Sequence, residues 1–515
     1  MNGRALGKLA RRALRDEQTH LWPLIAQKTS EWIQGSSALG RDMANVENVC
    51  GSDVSCLVFG LAVSSDLPLN VVVPLVDQLV TYSVALIPQM CVRDISHLLS
   101  GTVRLGVENE ILFELASREI ARKIHTADFT DLANIFDAYS KIKYVNETLF
   151  DVLAKQVVLC IDAKDALHGG RLHAKLIISL SDLNFPKKQI LQTVLANSVS
   201  RQIESFDCLS IAQIAANCPS GFLMDVICDE AYQRRKEFGL ESVGLLLHAL
   251  ANTYAPKSTP AEIHTNATTV HTQIHTNTQT PAQLHTSITG HKSTAPKSIK
   301  IHDGKRRREI GVFSVWSIFE FFVSDLNKKK LGKFRSVSSL AFLASGLATY
   351  SKQFPSSHTR SIFEMIGDKV AELSDQLTPE SIALLAHAFS TVNVRHGPVL
   401  FNLPLHVKHS LLEFNVEQLA TVTLAYANLG IRNDTLLDIV PQRVSALIAQ
   451  SPTIPSTAIA DILNAYAILM VNEAEFFQQL VSKLKESDYL DVQKDFRLIQ
   501  SLEILQLPTP HTIKI

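Results

Sequence analysis

The sequence predicts an all-α chain: an α-solenoid of roughly ten helical-hairpin repeats of about 37–41 residues, with one disordered insertion. Three observations carry that expectation. One helix face recurs: DLANIFDAYSKI at 131–142 returns as QLATVTLAYANL at 418–429 and AIADILNAYAIL at 458–469. The recurrence is periodic, with 37 residues between Gly101 and Ala138 and again between Ala388 and Ala425, and 40 to Ala465. No strand-rich block interrupts it. Weaker units phase at Gly60, Ser179, Asn217, Ala249 and Gly346.

Each unit reads as two helices. Leu132, Ile135, Tyr139 and Ile142 fall on one face of a first helix. A small residue recurs at the position of Ala133 (Ser96, Ala212, Gly244, Ala341, Ala383, Ala420, Ala460), and small residues let helix backbones approach closely. A turn with an apolar plug follows, as at Val107, Tyr144 or Ile431. Asn109-Glu110, Asn146-Glu147 and Asn433-Asp434 then provide a cap and an acid for the start of a second helix. A single pair cannot bury its apolar face alone, whereas stacked pairs can.

Along the chain, residues 1–20 open with MNGRALGKLARRALR, whose five basic residues and absence of acids fit a mitochondrial transit peptide; the alternative is an ordinary basic first helix. Residues 45–254 hold N-terminal repeats and 311–510 C-terminal repeats. Between them, 255–310 is Thr/His-rich, lacks helical period and ends in a basic run, so disorder is expected there. Its histidines are irregularly spaced, which favours low complexity over a metal site.

The bulk numbers exclude several classes. The 515 residues are 46% hydrophobic and 19% charged, enough for a large core, and the net charge of −1 gives no whole-chain basic footprint. No uninterrupted apolar run reaches membrane-spanning length, so no span is expected. Seven cysteines without a CxxC argue against a disulfide framework or zinc ribbon and for buried free thiols. No GxxxxGK[ST], GxGxxG, HExxH or supported GxSxG occurs, so the expectation is a non-enzyme without catalytic residues, cofactor or metal.

The repeat motif L-A-x-[IV]-x-x-A-[YF]-[AS]-x-[IL], best seen in DLANIFDAYSKI, SIALLAHAFSTV, EQLATVTLAYANL and AIADILNAYAIL, resembles the heptatricopeptide and octotricopeptide families of organellar RNA-binding repeats. It is also similar to the leucine-rich region of FAST-kinase-domain mitochondrial proteins and to helical-repeat subunits of the mitochondrial RNA-editing substrate-binding complex. The resemblance covers roughly 45–250 and 335–510 and implies a protein of the mitochondrial matrix that binds single-stranded RNA, mRNA or rRNA, in transcript stability, processing or ribosome assembly. The RAP domain that ends many relatives has no counterpart in SLEILQLPTPHTIKI, so nuclease activity is not expected.

Two groups of residues are candidates for RNA contact. Lys305, Arg306, Arg307 and Arg308, with Lys328, Lys329, Lys330, Lys333 and Arg335, form a basic neighbourhood interleaved with Phe313, Trp316, Phe319, Phe321, Phe322 and Phe334. His97, Asn134, Asp137, His387, Asp461 and Asn464, joined by Ser100, lie one helical step from the core columns, with Arg104, Lys141 and Asn428 in a further register. The competing readings are a solvated charge run beside core aromatics and a solvated helix face. The alternative function is a protein scaffold, or a structural subunit of a mitochondrial ribonucleoprotein such as the mitoribosome.

Overall fold

A computed structural model describes residues 3–16, 18–38, 49–64, 67–107, 109–162, 169–217, 221–254, 315–324, 326, 331–355, 357–450, 454–483 and 496–507. The insertion expected over 255–310 lies outside these residues. The described residues are helices and short connections, arranged in two compact units, Met1–Gly239 and Leu240–Ile515.

Unit 1 is a stack of helical hairpins, each a first helix followed by a second. They are α1 (Gly3–Arg15) with α2 (Trp22–Ala38), α3 (Gly51–Val63) with α4 (Leu69–Ser83), α5 (Val92–Arg104) with α6 (Glu110–Lys123), α7 (Phe129–Lys141) with α8 (Glu147–Asp162), α9 (Gly170–Asp182) with α10 (Lys188–Gln202), and α11 (Cys208–Asn217) with α12 (Gly221–Gln233). Unit 2 repeats the plan: α13 (Leu240–Tyr254) with α14 (Val315–Ser324), α15 (Val337–Gln353) with α16 (Ser357–Glu372), α17 (Pro379–Val392) with α18 (Gly397–His409), α19 (Val416–Asn428) with α20 (Asp434–Gln450), α21 (Ser456–Leu469) with α22 (Ala474–Ser482), and finally α23 (Phe496–Ile504). In each unit consecutive first helices pack side by side more closely than the second helices do.

The described hairpins exceed the ten phased in sequence by α1/α2 and by α23. Ala13 and Leu502 stand in these helices where Tyr139 stands in the motif. Within the 1–20 segment, Gly3–Arg15 is helix: Leu6, Ala10 and Ala13 of α1 are buried, and Gly7 lies directly against Asp53 of α3.

The division between units falls at 239/240 rather than at the insertion. Glycines explain why α13 joins the later helices. A Cβ on Gly244 would come within 2.6 Å of the Ser339 carbonyl oxygen, and one on Gly346 within 2.8 Å of the Leu247 backbone, so α13 and α15 touch backbone to backbone. In chain order, residues 255–314 therefore fall within a hairpin, between α13 and α14, and not between two hairpins.

Local chemistry fixes each rung. The expected asparagine caps form: Asn109, Asn146 and Asn433 each accept a backbone N–H three residues on, at 2.9, 3.0 and 3.0 Å. First helices start with capping boxes, Asp128/Asp131 and Asn415/Gln418 among them. Two of these boxes begin with a cysteine. Cys50 and Cys91 are exposed, with Sγ 3.1 Å from Asp53 and Asp94, so not every free thiol is buried as expected. First helices close on left-handed residues at one register: Gly106, Lys143, Asn393, Gly430, Met470 and Gln506.

The motif tyrosine ties neighbouring hairpins together. Tyr426 donates to the Leu400 carbonyl at 2.6 Å, and Tyr466 to the Leu437 carbonyl at 3.2 Å. Four residues past those carbonyls stand Pro404 and Pro441, which have no N–H to give. In each case the phenol of the next first helix supplies a donor that the proline cannot. Tyr139 donates to the Phe113 carbonyl at 2.9 Å, where Ser117 Oγ donates as well. Burial pushes all three phenols well above the ordinary tyrosine range.

Leu69–Gln89 is long and apolar enough to cross a membrane by length and composition, which the sequence reading did not anticipate. Val72, Val76, Leu79 and Val80 are buried in unit 1, as in a core helix of a stack.

Candidate nucleic-acid interface

A first helix that packs on both neighbours and on its own second helix leaves one narrow face outward. In α5 that face is Arg93, His97, Ser100 and Arg104, at the i, i+4, i+7, i+11 spacing of a single helical stripe. The same register gives Ser52, Cys56, Phe59 and Val63 in α3; Thr130, Asn134, Asp137 and Lys141 in α7; and Arg171, Lys175, Ile178 and Asp182 in α9. Side chains bridge these stripes from helix to helix. The Lys175 ammonium donates to Asn134 Oδ1 at 2.8 Å and pairs with Asp137 at 3.1 Å, and Lys141 pairs with Asp137 at 3.2 Å. The His97 ring lies over Phe59, with centroids 4.9 Å apart and planes 18° from parallel. Burial pushes the His97 imidazole down, so the ring on Phe59 is uncharged at neutral pH.

Arg93 pairs with Asp128 at 2.7 Å, and Ser96 Oγ bonds Asp131 at 3.0 Å. Burial, and then the neighbouring Asp128, raise the Asp131 carboxyl above the usual range. Arg171 stands 3.9 Å from Asp207. Salt bridges so exposed contribute little stability, which leaves these cations available to an anionic ligand.

The corresponding stripes of unit 2 differ. They are Glu241, Leu245, His248 and Asn252 in α13; Ser338, Phe342, Ser345 and Thr349 in α15; Glu380, Leu384, His387 and Thr391 in α17; Glu417, Thr421, Leu424 and Asn428 in α19; and Thr457, Asp461, Asn464 and Ile468 in α21. Acids recur and no Lys or Arg occurs in the stripes of α13, α15, α17, α19 and α21. His248 is held between Ser345 Oγ and Asn252 Nδ2, both at 3.1 Å, and burial pushes its imidazole down to about 4.

Of the residues singled out in sequence, Asn134 and Asp137 come together in one cluster, and His97 joins the same face two first helices from Lys175. In unit 2, His387 is exposed on α17, Asp461 is half-buried on α21, and Asn464 accepts from Ser501 of α23 at 3.3 Å. Lys333 and Arg335 are exposed ahead of α15. Lys305, Arg306, Arg307, Arg308, Lys328, Lys329 and Lys330 lie outside the described residues. Phe319, Phe322 and Phe334 are core side chains, and Phe319 stacks on Tyr350 at 5.2 Å, so these three aromatics offer no face to a base.

Sequence reading missed Lys175, Arg93, Arg171 and Phe59. The signal was present: reading all four outward positions of every unit, rather than the polar ones alone, shows cations accumulating in one half of the array.

Residues 326–503 match the family model described as the RNA-editing substrate-binding complex 6 protein. No curated protein matches the chain. Among solved structures, a circular tandem repeat protein with novel repeat topology and enhanced subunit contact surfaces is 11% identical, covering 98% of this chain and 94% of that chain, with a TM-score of 0.14, which supports no conclusion about this one.

Proposed function

We propose that this protein is a non-catalytic, RNA-binding helical-repeat component of a mitochondrial RNA-editing or RNA-processing complex. The outward face of the first helices in unit 1 carries the reading. Arg93, Arg104, Lys141, Arg171 and Lys175 outnumber Asp137 and Asp182 there, and an aromatic stack sits among them. Cations along a groove hold phosphates, and aromatic rings hold bases. The family match over 326–503 supports membership of an RNA-editing complex and, through that complex, a mitochondrial location. Filter binding of the full chain to single-stranded RNA tests the reading. Low-micromolar or tighter binding that weakens with salt is expected, and flat titrations at low salt would rule it out.

A second reading, a protein-binding scaffold, draws on unit 2. Its stripes pair Glu241, Glu380 and Glu417 with half-buried Leu245, Phe342, Leu384 and Leu424, which repels a phosphate backbone and suits a polypeptide. Affinity purification with and without RNase separates the two: partners lost on digestion support RNA, and partners retained support the scaffold.

A further inference from the structure

α1 has the composition of a leader peptide and the position of a working rung. Gly7 of α1 meets Asp53 of α3 at the same place in the repeat where Gly244 of α13 meets Ser339 of α15. That correspondence sets the register of α1. Arg4, Lys8, Arg11 and Arg15 then occupy the four outward positions held in α5 by Arg93, His97, Ser100 and Arg104. All four are basic, which no other first helix among the described residues matches. Arg11 is tied inward, 2.5 Å from the buried Asp53 carboxylate and 3.0 Å from Ser52 Oγ, and so holds α1 in place. Arg4, Lys8 and Arg15 are exposed; Arg15 meets only its neighbour Asp16, and Arg4 and Lys8 make no ion pair among the described residues. From position 4 to position 15 the stripe spans about 16 Å at the rise of an α-helix. The next first helix, α3, presents Phe59 under His97.

Resting on the RNA reading above, we infer that α1 and the adjoining Phe59–His97 stack form a site for single-stranded polynucleotide, in which Arg4, Lys8 and Arg15 hold consecutive phosphates and the aromatic pair receives an unstacked base. The ordering of cations ahead of an aromatic platform is what a flexible strand requires. The backbone charge is neutralised along the helix, and one base turns in to meet a π-face. A duplex has no free base to give. Residues 1–15 must then remain part of the working protein, because their removal takes away both the buried face of Leu6, Ala10 and Ala13 and the phosphate contacts.

The test uses the full chain, a 30-nucleotide oligouridine and an RNA duplex of equal length. Replacing Arg4, Lys8 and Arg15 with Gln should flatten the slope of log affinity against log salt by about 2, at roughly 0.7 per phosphate on a single strand. At 0.1 M salt that corresponds to a loss of up to about 100-fold. Phe59→Leu keeps an apolar side chain but no ring, and should weaken binding by about 5-fold or more with the salt slope unchanged. The duplex should bind the parent more weakly than oligouridine. If the parent fails to bind RNA, the broader reading fails. If the parent binds while the triple variant, shown folded by circular dichroism, keeps its slope, the α1 site alone is overturned. N-terminal sequencing of the protein recovered from its own cells must find residues 4–15; their loss overturns the site as well.

Discussion

Arg93 in α5 and Glu417 in α19 occupy equivalent places on equivalent helices, and so do Lys175 in α9 and Asp461 in α21. The inward positions of the two units hardly differ. Ala133 and Ala420, Ile135 and Val422, and Tyr139 and Tyr426 face the same neighbours in the same order. Packing constrains the inward columns, because a changed volume there must be absorbed by two adjacent hairpins. The outward stripe touches few side chains, so its charge is free to follow a ligand. The repeat therefore specifies a scaffold, and the stripe assigns separate halves of that scaffold different electrostatic tasks.

The sharpest way to break this contrast is to move the charge. Changing Arg4, Lys8, Arg93 and Arg104 to Glu should lower affinity for oligouridine by roughly 600-fold at 0.1 M salt, since four phosphate contacts at 0.7 each are removed. Changing Glu241, Glu380 and Glu417 to Gln should raise it by less than about threefold, because screened charges away from the strand act only through the long-range field. Equal and opposite effects in filter binding would mean that the strand uses both units.

The packing half of the comparison is tested at Gly244. Valine there has no room beside the Ser339 carbonyl, and unit 2 should lose about 3 kcal/mol as α13 and α15 are forced apart. Hydrogen exchange should report the loss in α13, α15 and α17 while oligouridine affinity stays within about twofold. A parallel fall in affinity would tie RNA binding to unit 2.

Tyrosine gives a finer contrast. Tyr426→Phe leaves the Leu400 carbonyl facing Pro404 with its phenol donor gone, and should cost about 2 kcal/mol in denaturant unfolding. Tyr139→Phe should cost about half as much, because Ser117 Oγ still donates to the Phe113 carbonyl. Equal costs would remove the role assigned to the proline.

A separate contrast is expected from pH. The His248 imidazole is held near 4 when folded, against an ordinary value of 6.5. The unfolded chain then binds the proton first as pH falls. The contribution is fully present above 6.5 and is lost progressively between 6.5 and about 4. His248→Gln should reduce the acid sensitivity of the unit 2 thermal transition over that window. An unchanged difference between pH 7 and pH 5 would mean that His248 titrates normally.

Much of this was legible in the residues. The 37-residue period, the Ala133 column and the Asn109, Asn146 and Asn433 caps are local or strictly periodic signals, and each became the element it announced. The polar stripe could be placed from Asn134 and Asp137. Its charge was hidden by the rest of the chain, since Met1–Gly239 as a whole carries 24 Lys and Arg against 27 Asp and Glu, so a basic stripe on one helix face leaves no trace in a net charge of −1.

The sequence by itself determined the repeat, the direction of each hairpin and the inward columns, because those follow from spacing along a helix of fixed geometry. Tertiary structure decided what depends on neighbours far along the chain. Gly244 and Gly346 place α13 with the later helices although about sixty residues separate it from α14, because backbone contact across a rung is invisible in linear order. Asp53 turns the basic opening segment into a packed helix with Arg4, Lys8 and Arg15 on its outward face. The tyrosines reach carbonyls opposite Pro404 and Pro441, a pairing fixed only when the next hairpin is in place. In each case the deciding interaction lies between rungs, where sequence distance carries no information about contact.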